Sequence, residues 1–191
     1  LDRLRLPFTW TGYDSEAGAR LADNAGLSPA DLPAIVTAKT VIRRATPARL
    51  AQAFGFTSTA AEDAEVDVVV IGAGPAGLGA AVYGASEGLQ TLVVEAVAPG
   101  GQAANSSRIE NYLGFTSGLS GADLTGRAAI QAQKFGARID SPRRAVGIDA
   151  TGGHIFVRLA DSTTITTRAV VIATGARYRS LPLDRWTEFE G

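Results

Sequence analysis

The sequence predicts an α/β fold in which a parallel sheet flanked by helices carries an antiparallel β-meander. Three observations predict it. Residues 66–77 read Val-Asp-Val-Val-Val-Ile-Gly-Ala-Gly-Pro-Ala-Gly, an apolar run that ends in spaced glycines. A stretch of small residues from Leu78 to Gly88 leads into a second apolar run, Thr91-Leu-Val-Val-Glu95. Farther on, short strand-like segments separated by turn residues precede a third buried-strand pattern, Ala169-Val-Val-Ile-Ala173.

The first unit has a specific chemistry. Gly72-x-Gly74-x-x-Gly77 stands at a strand-to-helix junction, and Glu95 follows eighteen positions after the last glycine. That is the arrangement a Rossmann-like dinucleotide fingerprint requires. Gly72 permits the tight turn, Gly74 lets backbone N–H groups approach a pyrophosphate, and Gly77 lets helix and strand pack closely. The pyrophosphate faces a helix N-terminus, where unpaired N–H groups and the helix dipole favour anions. A carboxylate at Glu95 accepts from ribose hydroxyls and disfavours a 2′-phosphate. The expected nucleotide is therefore FAD or NAD rather than NADP.

Composition narrows the class. The chain has 191 residues, 46% apolar and 19% charged, with a formal net charge of −1. This is globular composition with no electrostatic case for nucleic acid or an anionic membrane. No apolar run reaches membrane-spanning length and no secretory signal is visible, so a cytoplasmic location is expected. There is no cysteine, which excludes a disulfide, a thiolate zinc site or a Cys-x-x-Cys redox pair within these residues. No metal site and no catalytic acid, base or nucleophile is expected. Methionine is also absent and the chain opens abruptly at Leu1, which reads as part of a longer polypeptide.

Before the fingerprint, a short strand is expected around Phe8-Thr-Trp10 and a helix from Ser15 to Asn24, capped by Ser15 and stopped at Gly26. Asp31-Leu-Pro-Ala-Ile-Val-Thr37 and Thr40-Val-Ile-Arg43 read as strands. A helix from Pro47 to Phe54, with Thr46 as its cap, closes the segment. Residues 57–65 are polar and acidic, a linker by composition. Beyond Glu95 come the turn Pro99-Gly-Gly-Gln102, an irregular polar stretch to Gly121, and a helix from Ala122 to Phe135. Its apolar face is Leu124, Ala128, Ala132 and Phe135. Ala145–Ile148, His154–Leu159 and Thr163–Thr167 form the meander, followed by the separate strand Ala169–Ala173. His154, the only histidine, sits beside a Gly-Gly turn and reads as exposed. Arg43-Arg44 and Arg143-Arg144 read as solvated faces, and Trp10 and Trp186 as packing residues.

At Pro99-Gly-Gly-Gln102, Arg108-Ile-Glu-Asn-Tyr112, Leu119-Ser-Gly121 and Ala173-Thr-Gly-Ala176, taken with the fingerprint, the chain closely resembles the thioredoxin reductase family of flavoproteins. The match covers residues 66–191. The resemblance implies that Gly72, Gly74, Pro75, Ala76 and Gly77 cradle the FAD pyrophosphate and that Glu95 holds the adenosine ribose. Gly101 and Gln102 would line the pyrophosphate and ribityl region, and Asn111 would stand beside the isoalloxazine. Ala145, or Val146 beside it, would offer backbone groups to adenine, while Thr174, Gly175 and Ala176 would form the strand-end turn against the dinucleotide. Local readings stay open beside these: Gly100-Gly101 as a plain turn, Asn111 as a backbone cap, Gly175 as a strand-exit glycine.

The order of residues 1–56 resembles the second half of a thioredoxin-like domain, with Pro33 at the place of that fold's cis-proline; a small α/β appendage is the alternative. The implied division is a partial thioredoxin-like segment (1–56), a linker (57–65) and the FAD-binding domain (66–191), without the NADPH domain or the closing strand. The implied activity is electron transfer from NADPH to flavin to an acceptor, a protein or a small molecule, in the full-length protein, with a homodimer as the family tendency. No residue here can serve as the dithiol relay, and the fragment alone is expected to be inactive. Other readings stay open: an NAD-dependent enzyme, a non-catalytic flavin-binding sensory or docking module, and a flavoprotein of the ferredoxin–NADP reductase type.

Overall fold

The computed structural model describes residues 8–46, 49–50, 53 and 65–176. Its centre is a six-stranded sheet of order β5-β4-β3-β8-β7-β6. The strands are β3 (Glu65–Ile71), β4 (Thr91–Val94), β5 (Arg138–Asp140), β6 (Ala145–Thr151), β7 (His154–Leu159) and β8 (Thr164–Ile172). β5, β4, β3 and β8 run parallel, and β6, β7 and β8 form the antiparallel meander. The predicted fold class is therefore the observed one. Parallel neighbours need crossover connections, and the helices α2 (Pro75–Ser86) and α3 (Gly121–Lys134) lie on the two crossovers.

Three details of the central sheet differ from the expectation. Thr163–Thr167 and Ala169–Ala173 are one continuous strand, β8. Its first part pairs with β7, from Thr164↔Arg158 to Thr167↔Ile155, while β3 pairs along it from Thr166 to Ile172. A strand held on one edge by β3 has no reason to break where its other partner ends. β5 was not anticipated; it is three residues long and sits at the sheet edge beside β4. β3 begins at Glu65, one residue inside the expected linker, most of which lies outside the described residues.

Two apolar clusters sandwich the sheet. On the helix face, Val70 and Val93 pack against Leu78, Ala81 and Ala85 of α2 and Ala132 of α3. Small residues on α2 allow that close approach: a Cβ at Gly84 would stand 2.8 Å from Thr91 Oγ1. On the other side Val69, Leu92 and Val94 meet Val157, Leu159 and Ile165 of the meander. Phe135, expected in the apolar face of α3, lies one residue past the helix and is exposed, with the Lys134 ammonium 5.9 Å from its ring.

In the N-terminal segment, α1 (Glu16–Ala25) starts at Ser15, whose hydroxyl accepts from Gly18 N–H, and ends at Gly26 in the left-handed region, as its sequence signals require. The Leu32–Pro33 bond is cis. It precedes an antiparallel pair, β1 (Ile35–Val36) and β2 (Val41–Ile42). Arg43 is not a free surface charge: its Nη2 donates to the carbonyls of Ala25 and Gly26, at 3.2 and 2.8 Å, and ties β2 to the end of α1. No strand forms at Phe8–Trp10, and Trp10 is 80% exposed rather than packed. Arg49 and Leu50 are helical and Thr46 caps them, but the rest of the helix expected to Phe54 lies, apart from Ala53, outside the described residues, as does Trp186.

Candidate functional site

The strand β3 delivers its last residue, Ile71, into the glycine loop, where the backbone is boxed in on three sides. Gly72 takes φ +103°, and a Cβ there would run into the Ala173 carbonyl at the end of β8. Its N–H donates to Val94 O at 2.8 Å. A Cβ on Gly77 would run into the Gly72 carbonyl, so α2 can leave the loop at this angle only with glycine there. Gly74 is different. Its φ of −73° suits any residue, and a Cβ would meet only Gly101 Cα, at 4.0 Å. Among the described residues nothing requires a glycine at 74.

The loop opens onto the start of α2. Gly74 is the N-cap and Pro75 the first helical residue, and among the described residues no side chain caps the helix. By contrast, Ser15 caps α1 and Ser120 caps α3. The N–H groups of Ala76 and Gly77 lie in the first turn of α2, where no intrahelical acceptor exists. An uncapped first turn behind a glycine loop combines free donors with the positive end of the helix dipole.

Opposite stands the Pro99-Gly-Gly-Gln102 turn. Gly100 N–H donates to Ala73 O at 2.7 Å, which docks the turn onto the glycine loop. Gly100 and Gly101 have φ of +118° and +56°, a left-handed pair that side chains would strain. Gly101 packs against Gly74 backbone to backbone, and neither residue places a Cβ at this contact. Gln102 Nε2 donates to Ala176 O at 2.7 Å across 74 residues and joins this turn to Thr174-Gly175-Ala176 after β8. Those three residues are exposed, with Gly175 at φ +79°.

Glu95 follows β4 and is 8% exposed. Its Oε2 accepts from Ala73 N–H at 2.8 Å and its Oε1 from Val97 N–H at 2.9 Å. The carboxylate thus braces the glycine loop from below. Each oxygen keeps a further lone pair for a ligand hydroxyl. Ala145, at the start of β6, pairs with Leu159 and packs against the meander-side core, and Val146 is exposed. Asn111 is exposed on the loop that the Ile109–Leu119 bridge closes, and among the described residues no hydrogen bond joins it to the glycine loop. His154 is exposed, as expected.

Ala73, Asp140, Arg143 and Asp161 are part of this framework and were missed. Ala73 is fully buried and its N–H and C=O hold Glu95 and Gly100. Arg143 is an ion-paired, largely covered side chain rather than a solvated one. Asp161 is held below the usual carboxylate range: partial burial raises it, but the Arg143 guanidinium and the Thr163 N–H and hydroxyl lower it by more.

With this geometry in view, residues 66–189 match the family model described as pyridine nucleotide-disulphide oxidoreductase. The chain belongs to this family. Within it, the chain is thioredoxin reductase-like. It is 43% identical over 122 residues to a thioredoxin reductase of Listeria innocua, covering 64% of this chain and 37% of that protein. Over 126 residues it is 40% identical to one of Streptomyces clavuligerus, covering 65% and 39%. The crystal structure of T. acidophilum thioredoxin reductase superposes with a TM-score of 0.60 at 32% identity, covering 66% of this chain and 40% of that one. The chain therefore spans about two-fifths of the length of these relatives. Among the described residues, no helix is long and apolar enough to cross a membrane.

Proposed function

We propose that residues 65–176 form the FAD-holding part of a thioredoxin reductase-like oxidoreductase, with NADPH as electron donor to the flavin and a protein or small molecule as acceptor. The observation that carries this reading is the glycine loop where Gly74 meets Gly101 backbone to backbone. The first turn of α2 that starts there has no side-chain cap among the described residues, and the Glu95 carboxylate accepts from Ala73 N–H within the same loop. Gly74 is a glycine that packing among the described residues does not need, which is what a ligand passing over it requires.

When bound, the flavin supplies the redox chemistry, and the protein supplies position and electrostatics. The amides of Ala76 and Gly77 would hold the pyrophosphate, and Gly72 and Gly74 would let it come close. Glu95 would accept from the ribose hydroxyls while its charge disfavours a 2′-phosphate. Gly101 and Gln102 would line the next stretch, Thr174, Gly175 and Ala176 would close it, Ala145 would face adenine, and Asn111 would approach the isoalloxazine from its loop. No described side chain has the setting of a general base.

For the N-terminal segment the proposal is a partial thioredoxin-like unit, supported by the order of α1 and the proline-led pair β1–β2. A homodimer in the cytoplasm follows the family tendency. The nucleotide released from the purified intact protein by heat tests the cofactor assignment: chromatography is expected to give FAD, and NAD in its place would overturn it.

A further inference from the structure

Arg143 lies on the turn between β5 and β6, and its side chain is only 14% exposed. Its guanidinium reaches two carboxylates. Nη1 is 3.4 Å from Oδ2 of Asp140, which is 1% exposed at the end of β5. Nη2 and Nε are 2.8 and 3.2 Å from Oδ2 of Asp161, in the turn between β7 and β8. The backbone of the same residue reaches a third place, where Arg143 N–H donates to Glu95 O at 2.7 Å. Glu95 N–H in turn donates to Asp140 O at 3.0 Å, and Ser141 Oγ to Val97 O at 3.1 Å. Ala160 N–H donates to Arg144 O at 2.9 Å, one residue before Ala145 opens β6.

We propose that Arg143 is a positioning residue for an adenine nucleotide. Its staple between Asp140 and Asp161 fixes residues 141–145 against Glu95, and so presets the distance between the Glu95 carboxylate and the backbone at Ala145. The inference rests on the FAD reading and deepens it at the adenosine end.

Three features favour positioning over bulk stability. An ion pair with one partner buried and one at the surface contributes little net stability, yet it fixes geometry because leaving Asp140 unpaired is costly. The planar guanidinium gives each carboxylate its own N–H groups in fixed directions, whereas a lysine offers one rotatable ammonium. The three elements joined, the β5 end, the β7–β8 turn and the β4 end, belong to the sheet's two halves, and the staple crosses between them beside Glu95.

The test uses the intact protein freed of flavin, with Arg143→Lys and Asp161→Asn beside the unaltered chain. Calorimetric titration with ADP probes pyrophosphate and adenosine together, and titration with inorganic pyrophosphate probes the glycine loop alone. The expected result is ADP binding weakened roughly tenfold in Arg143→Lys and severalfold in Asp161→Asn, the scale of one mispositioned polar contact. Pyrophosphate should bind all three alike. Asp161 is at the surface, so its variant carries the test if Arg143→Lys does not fold. Equal ADP affinity in all folded proteins overturns the inference, as does an equal loss for ADP and pyrophosphate, the mark of a general structural role. If the unaltered protein binds neither ADP nor FAD, the cofactor reading itself falls.

Discussion

Replacing Gly74 by alanine separates what the glycine loop does for folding from what it does for a ligand. The backbone at Gly74 has φ −73° and ψ −178°, which alanine adopts without strain, and the new Cβ would stand 4.0 Å from Gly101 Cα, an ordinary contact. Alanine is a poorer N-cap than glycine by a few tenths to about 1 kcal/mol. Reduced freedom in the unfolded chain returns about 0.4–1 kcal/mol. The two offset, so apoprotein stability should change by less than about 0.5 kcal/mol. Binding should change far more. With the pyrophosphate over Gly74 as proposed, the methyl group would occupy its place and keep an anion from the first turn of α2. Losing two charged hydrogen bonds at about 1.5–3 kcal/mol each predicts FAD affinity at least about a hundredfold weaker. Flavin fluorescence quenching measures the affinity, and thermal unfolding of the apoprotein measures the stability. FAD affinity within about threefold of the unaltered protein would refute the placement of the pyrophosphate over Gly74.

Gly77→Ala should behave in the opposite way, because its Cβ would meet the rigid Gly72 carbonyl. Apoprotein stability should fall by about 1–3 kcal/mol in a denaturant titration, and an unchanged midpoint would contradict the packing described. Glu95→Gln puts an amide donor against either Ala73 or Val97 N–H, both of which need an acceptor. That unsatisfied contact should cost about 1–3 kcal/mol and weaken FAD binding together with stability. Asp161 gives a pH signature. Its carboxyl titrates lower in the folded protein than in the unfolded chain, so its contribution is complete above the unfolded value of 3.8 and is lost as pH falls through the lower folded value. The stability gap between the unaltered protein and Asp161→Asn should therefore be widest near neutrality and close in acid; a gap that widens in acid would contradict the pairing with Arg143.

The parts of the fold that rest on hard sterics were legible in the sequence. Gly72 and Gly77 are glycines because carbonyls stand where their Cβ atoms would be, and that necessity is what a glycine fingerprint encodes. Ser15, Gly26 and Thr46 were legible for the same reason, since caps act within one turn. β5 was not, because three residues, Arg-Ile-Asp, are too few to show a period and owe their strand to β4 alone. The break expected near Arg168 failed because β8 is held by β3, a partner about a hundred residues earlier, as in the bond from Thr167 Oγ1 to Asp67 O. At the site, the glycines and Glu95 announced themselves. The Gln102–Ala176 bond and the Arg143 staple did not, since they join residues 74 and 18 apart with no local pattern. Trp10 shows the reverse error: a large apolar residue carries no signal of whether anything covers it.

The proposed function requires that the glycine-loop site holds FAD and that NADPH delivers electrons to it in the intact protein. The most direct measurement is the visible absorption spectrum of that protein, taken anaerobically before and after NADPH. The expected result is an oxidised flavin band that bleaches on addition. A protein with no flavin band, and none after incubation with FAD, would contradict the cofactor site; a flavin band that NADPH leaves unbleached would contradict the reductase.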